Sequence, residues 1–310
     1  MLITFVIPSY NASNSIQQTL DSVFGCLYPE SWEVDAVVVD DGSADGYELA
    51  EVISRYPGAS LIAHSTNRGM CAARNTGIIH SRGDFVSILD ADDELVQQWP
   101  AVFEAIIQEC PASCQLIYAA CRNQFGVVTA SDPDYKGLLT LDDVLNERYS
   151  GEYLPVFRGD YVRSKLYIDL KTRKSCGIVS YINYALDGPF WVTNKVLRIY
   201  NEAQAGSVSK GWTSPAKAME TVCCYRALLE TFGELYQQHA LRIYRTKLLR
   251  LAVYLKLAGL PDAWKTYRRG ASLTVWREAI GVAVMLLLGA HAAGLIAKTL
   301  KKIGLVRRYG

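Results

Sequence analysis

Short apolar runs of strand length alternate with helix-length amphipathic stretches through the first part of the chain, and that alternation sets the fold class. Leu2–Pro8 is an apolar run. A polar turn, Ser9–Asn14, opens a helical stretch to about Leu27, with Ser13 as its N-cap and Ile16, Leu20, Val23 and Phe24 on its apolar face. Ala36–Val39 reads as a second strand, and Leu49, Val52 and Ile53 mark a second helix. Leu61–Ala63 is a third strand, followed by a helix from about Met70 to Ser81. Phe85–Leu89 is a fourth strand, followed by a helix over about 95–109 and a strand at Leu116–Ala120. Fully apolar strands separated by helices indicate βαβ units around a mostly parallel sheet.

The chain has 310 residues and a formal net charge of +1. That length suits one medium α/β domain with an appendage. A charge near zero argues against a nucleic-acid partner, whose phosphates require clustered basic surface. Eight cysteines and four histidines are present, without paired C-x-x-C units, which disfavours a structural zinc site. Nor does a chain of this size need a disulfide framework. Met1–Tyr10 runs straight into strand, with no basic leader and no cleavage site, so the cytosolic side of a membrane is the expected compartment.

Acidic clusters stand at the ends of these strands, where open α/β sheets bind ligands. In Asp90-Ala91-Asp92 one carboxylate can meet a ribose hydroxyl while the other meets a hard cation, Mn²⁺ or Mg²⁺, bridging two phosphates. The cation neutralises charge on a departing nucleoside diphosphate. Asp40-Asp41-Gly42-Ser43 follows the second strand. Its carboxylate can accept from a pyrimidine N–H, or Asp41 and Ser43 can cap the next helix, and the sequence leaves both open. Arg74, early in a helix, can pair with a diphosphate or lie solvated on the surface.

Phe5-Val6-Ile7-Pro8-Ser9-Tyr10-Asn11, Val39-Asp40-Asp41-Gly42-Ser43, Asn67-Arg68-Gly69 with Ala73-Arg74-Asn75-Thr76-Gly77, and Leu89-Asp90-Ala91-Asp92-Asp93 occur in this order at fitting distances. Together they resemble the family 2 glycosyltransferases, specifically over about residues 1–125 and more loosely to about 215. The resemblance implies a GT-A fold and inverting transfer of a hexosyl or N-acetylhexosaminyl group from a nucleotide-sugar, a UDP-sugar by preference, to an acceptor hydroxyl. Pro8 and Tyr10 would line the nucleotide pocket, Asp41 would hold the base, and Arg74 would lie near the donor. Asp90 and Ala91 would stand on the donor side and Asp92 at the metal. Asp187, in Leu186-Asp187-Gly188, resembles the family's acceptor-side base, with Leu186 where an acid is commoner; Asp160 and Asp169 are its rivals. Trp191 is expected in the core. Lys210 could meet the diphosphate, and no His stands nearby as a further metal ligand.

The organisation expected is a GT-A domain over 1–214, divided into a nucleotide-sugar half (1–121) and an acceptor half (122–214), and a helical extension over 215–310. The extension breaks at Gly259-Leu260-Pro261 and around Gly270. Ala279–Ala297 is nearly all apolar apart from His291 and admits three readings: buried helix, interfacial helix or membrane span. Lys298, Lys301, Lys302, Arg307 and Arg308 after it, with Lys247, Arg250, Lys256, Lys265, Arg268 and Arg269 before it, suit an anionic leaflet. Peripheral attachment to the inner face of the cytoplasmic membrane is therefore expected, with a glycan on a polyprenyl-diphosphate as acceptor, by analogy with bacterial surface-polysaccharide assembly. Two other classes compete. A nucleotidyltransferase would want a Gly-rich phosphate loop after the first strand, and Ser9–Asn14 has no glycine. A non-catalytic sugar-nucleotide binder would tolerate loss of Asp187.

Overall fold

The computed structural model describes residues 1–173, 176–201 and 214–288. The chain divides into two compact units, Met1–Gln204 and Ala205–Gly310. The first contains strands β1 (Leu2–Ser9), β2 (Glu33–Asp40), β3 (Ala59–Ala63), β4 (Phe85–Ile88), β5 (Glu94–Leu95), β6 (Leu116–Asn123), β7 (Gly137–Leu139), β8 (Tyr153–Arg158) and β9 (Phe190–Tyr200). Its helices are α1 (Ile16–Phe24), α2 (Gly46–Ile53), α3 (Met70–His80), α4 (Trp99–Glu109), α5 (Leu141–Leu145), α6 (Gly159–Ser164) and α7 (Gly177–Ala185).

The strands form one sheet in the order β3-β2-β1-β4-β8-β6-β9-β5, with β7 also against β9. β1 to β4 are parallel, as the apolar runs require. β8 inserts antiparallel between β4 and β6, and β9 lies parallel to β6, so β6 and β9 run in the same sense as β4. From β1 the chain builds outward to β2 and β3, then returns to place β4 on the other side of β1. That reversal opens a crevice at the carboxyl ends of β1 and β4. Ile3, Phe5 and Ile7 of β1 are fully buried, and Phe5 meets Trp99 of α4 edge-on at 5.2 Å.

Local chemistry moved two helix starts. α1 begins at Ile16, and Ser15 rather than Ser13 occupies the cap position. The Ser15 hydroxyl does not cap; it donates to the carbonyl of Ala91 at 2.8 Å and so ties α1 to the acidic loop. α4 starts only at Trp99, because Glu94 and Leu95 are taken up as a strand against Ile199 and Arg198 of β9. The stretch after residue 122, irregular in sequence, holds β7 to β9 and α5 to α7. Its core is aromatic rather than aliphatic: Tyr118 stacks on Tyr153 at 4.7 Å and meets Tyr181 edge-on at 5.4 Å. Trp191 packs against the main core, as expected.

The second unit contains α8 (Pro215–His239), α9 (Leu241–Leu257), α10 (Ala263–Gly270), a 3₁₀ turn (Leu273–Val275) and α11 (Trp276–Leu287). α8 opens on the Ser214 hydroxyl, which accepts from the Lys217 N–H, with Pro215 following it. The expected breaks fall between α9 and α10 and after Gly270; a further break at Ala240 had no Gly or Pro to announce it. Ala218, Val222, Leu249, Ala252, Leu255 and Val282 close the core of this unit. Lys247 is buried within α9 and does not present its charge to solvent, contrary to the sequence expectation. Of the apolar stretch 279–297, residues to 288 are described and the rest, with the basic run after it, lie outside the described residues. Among the described residues no single helix is long and apolar enough to cross a membrane.

Candidate active site

The crevice beside β1 is built from loops that follow β1, β2 and β4 and from the first turns of α3. Pro8 and Tyr10 flank Ser9, the last residue of β1; Pro8 is half-buried and Tyr10 is 52% exposed. The loop after β1 is laced to the loop after β2. Asn11 N–H donates to the Ser43 hydroxyl at 2.8 Å, Ala44 N–H to the Asn11 side-chain oxygen at 2.9 Å, and Ser13 N–H to Asp45 at 2.9 Å. Asn11 holds a positive φ of 51° to make this closure.

Asp41 is buried, and its carboxylate is engaged on both oxygens. It accepts from the backbone N–H of Arg68 at 2.9 Å, from that of Gly69 at 2.8 Å, and from His64 Nδ1 at 2.7 Å. His64 Nε2 faces the Thr76 hydroxyl at 2.9 Å, so the tautomer with its proton on Nδ1 satisfies both partners. The carboxylate expected at a pyrimidine N–H also braces the turn before α3. The capping alternative does not hold, since Ser43 bonds Asp40 through both its N–H and its hydroxyl and the cap position of α2 is Asp45. Two glycines make these approaches feasible. A Cβ on Gly42 (φ 72°) would stand 2.6 Å from the Thr66 carbonyl carbon, and one on Gly69 (φ 94°) would stand 2.2 Å from the Thr172 oxygen.

Asp41→Asn should therefore destabilise the nucleotide-free protein by about 1–3 kcal/mol, because an amide nitrogen cannot accept from the N–H groups it would face. Thermal unfolding without ligand is the check. An unchanged transition, with UDP affinity alone reduced, would make Asp41 a base contact rather than a brace.

The braced turn carries Asn67, which stands in the Asn67-Arg68-Gly69 motif without a role assigned to it. Asn67 Oδ1 is buried with no partner among the described residues, and so is the Ser9 hydroxyl at the end of β1. A side-chain amide both donates and accepts, which complements the imide edge of a pyrimidine.

On the other wall, Arg74 donates to Asp90 at 3.3 Å and lies over the Tyr167 ring, 5.5 Å from its centroid. Asp90 also faces Arg198 of β9 at 3.6 Å. Arg198 is buried and gathers the site: it reaches Asp93 at 3.1 Å, Glu152 at 3.3 Å and the Cys121 sulfur at 3.1 Å. Asn201 completes the frame, donating its N–H to Asp93 at 3.0 Å and its amide to the Asp92 carbonyl at 2.7 Å. Burial pushes the Asp93 carboxyl upward against the pull of Arg198. Burial, then the charge of Asp90, raises Asp92 as well. Arg198 had a sequence signal, a charge set among the apolar residues of a strand, whereas Asn201 and Glu152 had none.

Ala91 lies buried between the two acids, its carbonyl held by Ser15. Among the described residues no group of three His, Cys, Asp or Glu side chains could hold a metal unaided. The donor set fits a hard cation held at Asp92 and completed by diphosphate oxygens, because such a cation offsets both causes of the raised Asp92 carboxyl.

Asp187 is not part of this assembly, which corrects its assignment as base. It precedes β9, whose first residues pair with the beginning of β6, whereas Arg198, Tyr200 and Asn201 come at the far end. Trp191 to Arg198 of β9 lies alongside only Ile117 to Cys121 of β6, about 13 Å at 3.3 Å per residue, and Asp187 stands beyond the Trp191 end of that span. There it bonds Lys165 and accepts from the Tyr161 hydroxyl at 2.8 Å. Lys165, with Tyr161 assisting, holds the Asp187 carboxyl below the usual range. Asp160 is on α6, whose first residue Gly159 bonds Asp84 just before β4, at the same wrong end. Asp169 is placed differently. Its segment passes Tyr167 under Arg74 and reaches Thr172 and Arg173, which abut Gly69 and Met70 at the head of α3. Lys210 lies outside the described residues.

Comparison with known proteins bears on the family and the fold. Residues 4–154 match the family model described as Glycosyl transferase family 2. The amylovoran biosynthesis glycosyltransferase AmsB of Erwinia amylovora is 49% identical over 94 residues, which are 29% of this chain and 30% of that protein. Glycosyltransferase GlyA of Streptococcus pneumoniae is 26% identical over 282 residues, 86% of this chain and 40% of that protein. The chain thus spans less than half the length of these curated relatives. Among solved structures, S. aureus TarS 1-349 in complex with UDP-GlcNAc superposes with a TM-score of 0.59 at 16% identity, covering 91% of this chain and 79% of that one. The mannosyltransferase PcManGT of Pyrobaculum calidifontis, in complex with GDP-Man and Mn²⁺, gives 0.50 at 17% identity, covering 97% of this chain and 87% of that one. Over residues 4–154 the chain is similar to glycosyltransferase family 2, and its first unit has the GT-A fold.

Proposed function

We propose that this chain transfers a sugar from a UDP-sugar to an acceptor hydroxyl, with inversion, and that the acceptor is a lipid-linked oligosaccharide of surface-polysaccharide synthesis. The observation that carries the donor assignment is the convergence in one crevice of Tyr10, the buried Asn67 Oδ1, Arg74, Asp90 and Asp92. An exposed ring for stacking, an amide for an imide edge and a guanidinium beside paired carboxylates are the complement of a pyrimidine nucleoside diphosphate. The TarS structure in complex with UDP-GlcNAc supports the nucleotide. The amylovoran biosynthesis glycosyltransferase AmsB and the succinoglycan biosynthesis protein ExoO of Rhizobium meliloti support the class of product.

In this reading Tyr10 stacks on the base and Asn67 pairs with its edge. Asp90, fixed by Arg74 and Arg198, takes the ribose. Asp92 would hold Mn²⁺ or Mg²⁺, which would neutralise charge on the leaving diphosphate. Asp169 is assigned as the base that takes the acceptor proton. Among the described residues its carboxylate is paired with Lys171, which is 78% exposed, whereas Glu152 is committed to the buried Arg198. An ion pair whose cation lies in solvent is worth little.

Calorimetric titration with UDP, with and without Mn²⁺, on the wild type and on Asp92→Ala tests the donor site. Binding that the metal strengthens in the wild type and leaves unchanged in the variant is the expected result. No UDP binding under either condition would overturn the UDP assignment, and GDP and dTDP would be titrated next.

A further inference from the structure

The second unit carries an apolar helix face that nothing among the described residues covers. In α11, Ala279, Val282 and Leu286 turn into the helical core. Trp276, Ile280, Val284 and Leu287 recur on the opposite side at spacings of one helical turn and are 53%, 57%, 48% and 75% exposed. Leu273, in the turn just before, is 90% exposed. Several large side chains in one stripe amount to more than the scattered apolar exposure of an ordinary surface.

The charges beside this stripe are mostly basic. Arg277 lays its guanidinium 5.3 Å over the Trp276 ring. Lys265, Arg268 and Arg269 are exposed on α10, whose axis is bent 102° from that of the turn and helix that follow. Glu278 is the last acid in the chain, and Arg242 pairs with it at 3.5 Å. From residue 279 to Gly310 the sequence contains Lys298, Lys301, Lys302, Arg307 and Arg308 and no Asp or Glu. A second copy docked on this face would bring cations against cations. A bilayer with anionic headgroups satisfies the apolar stripe and the cations together.

We infer that α11 is a membrane-docking helix that lies in the plane of an anionic lipid surface. Trp276, Ile280, Val284 and Leu287 face the acyl region, and Arg277 with the α10 cations meets the headgroups. The inference stands on the helical unit alone and does not require the donor assignment.

Flotation of the full chain with phosphatidylcholine vesicles, with and without phosphatidylglycerol, is the test. The protein should float with the phosphatidylglycerol vesicles only, and less so at high salt. The Ile280→Ser/Val284→Ser double variant should bind them about tenfold more weakly or worse, with UDP affinity unchanged. Three results would overturn the inference: no flotation of the wild type, flotation undiminished in the variant, or a concentration-dependent dimer in sedimentation that the variant dissociates. A large fall in the variant's melting temperature without lipid would overturn it too, since the face would then be covered by this chain's own residues. Failure of UDP binding would leave the vesicle result untouched.

Discussion

Arg198→Met should cost the first unit about 3–5 kcal/mol of stability, the range for leaving a buried charge without its partner. Methionine nearly fills the volume of the arginine stem, so the loss isolates the guanidinium. That group is buried between Asp90, Asp93 and Glu152, and Asp93 is itself 1% exposed. Without the cation Asp93 must take up a proton or hold an unpaired charge in the interior, and either is expensive. Asp90 loses one of its two arginines, so donor affinity should fall with stability. Arg198→Lys should recover part of the loss, because it restores charge but not the planar fork that reaches Asp93 and Glu152 at once. Denaturant unfolding gives the number. A loss under about 1 kcal/mol would mean that the network is a solvated surface pair in solution and that β9 does not hold the acidic loop.

What was legible in the sequence follows from what local pattern can carry. β1, β2 and β4 are buried on both faces, so their apolar runs stand out, and so do the acids that close β2 and β4. The same logic left the partners of Asp41 unseen. Its place at a strand end was read correctly, but the partners that occupy it, the N–H groups of Arg68 and Gly69, lie more than twenty residues away. It failed after residue 122, where β8 runs against its neighbours and tyrosines fill the core in place of aliphatic runs. Arg198 is an instance of the general rule that a local pattern broken at one position marks a site. Set in a strand between Leu197 and Ile199, it contradicts the apolar pattern around it, and the contradiction is resolved only by the carboxylates it meets.

Asp169→Asn should lower kcat by about 10²–10⁴ at saturating donor and acceptor, the usual contribution of a general base, while UDP affinity stays unchanged. Asp187→Asn should leave kcat within about twofold, because its carboxylate stands at the wrong end of the sheet and no base acts beyond hydrogen-bond reach of its proton. The two substitutions delete the same charge, so the difference between them reports position alone. Sequence order could not separate them, since both acids fall in the acceptor half and only Asp187 stands in a family-like string. The direction of β9 separates them: the chain descends through α7, turns at Asp187 and Gly188, and climbs back along β6 to deliver Arg198 and Asn201 to the acids after β4. Basicity points the same way, for Lys165 holds the Asp187 carboxyl low and so makes it a poor proton acceptor. Loss of turnover in Asp187→Asn with Asp169→Asn unaffected would mean that the register of β9 against β6 is wrong. Loss in neither would move the base to Glu152, which among the described residues faces the site from the acceptor half.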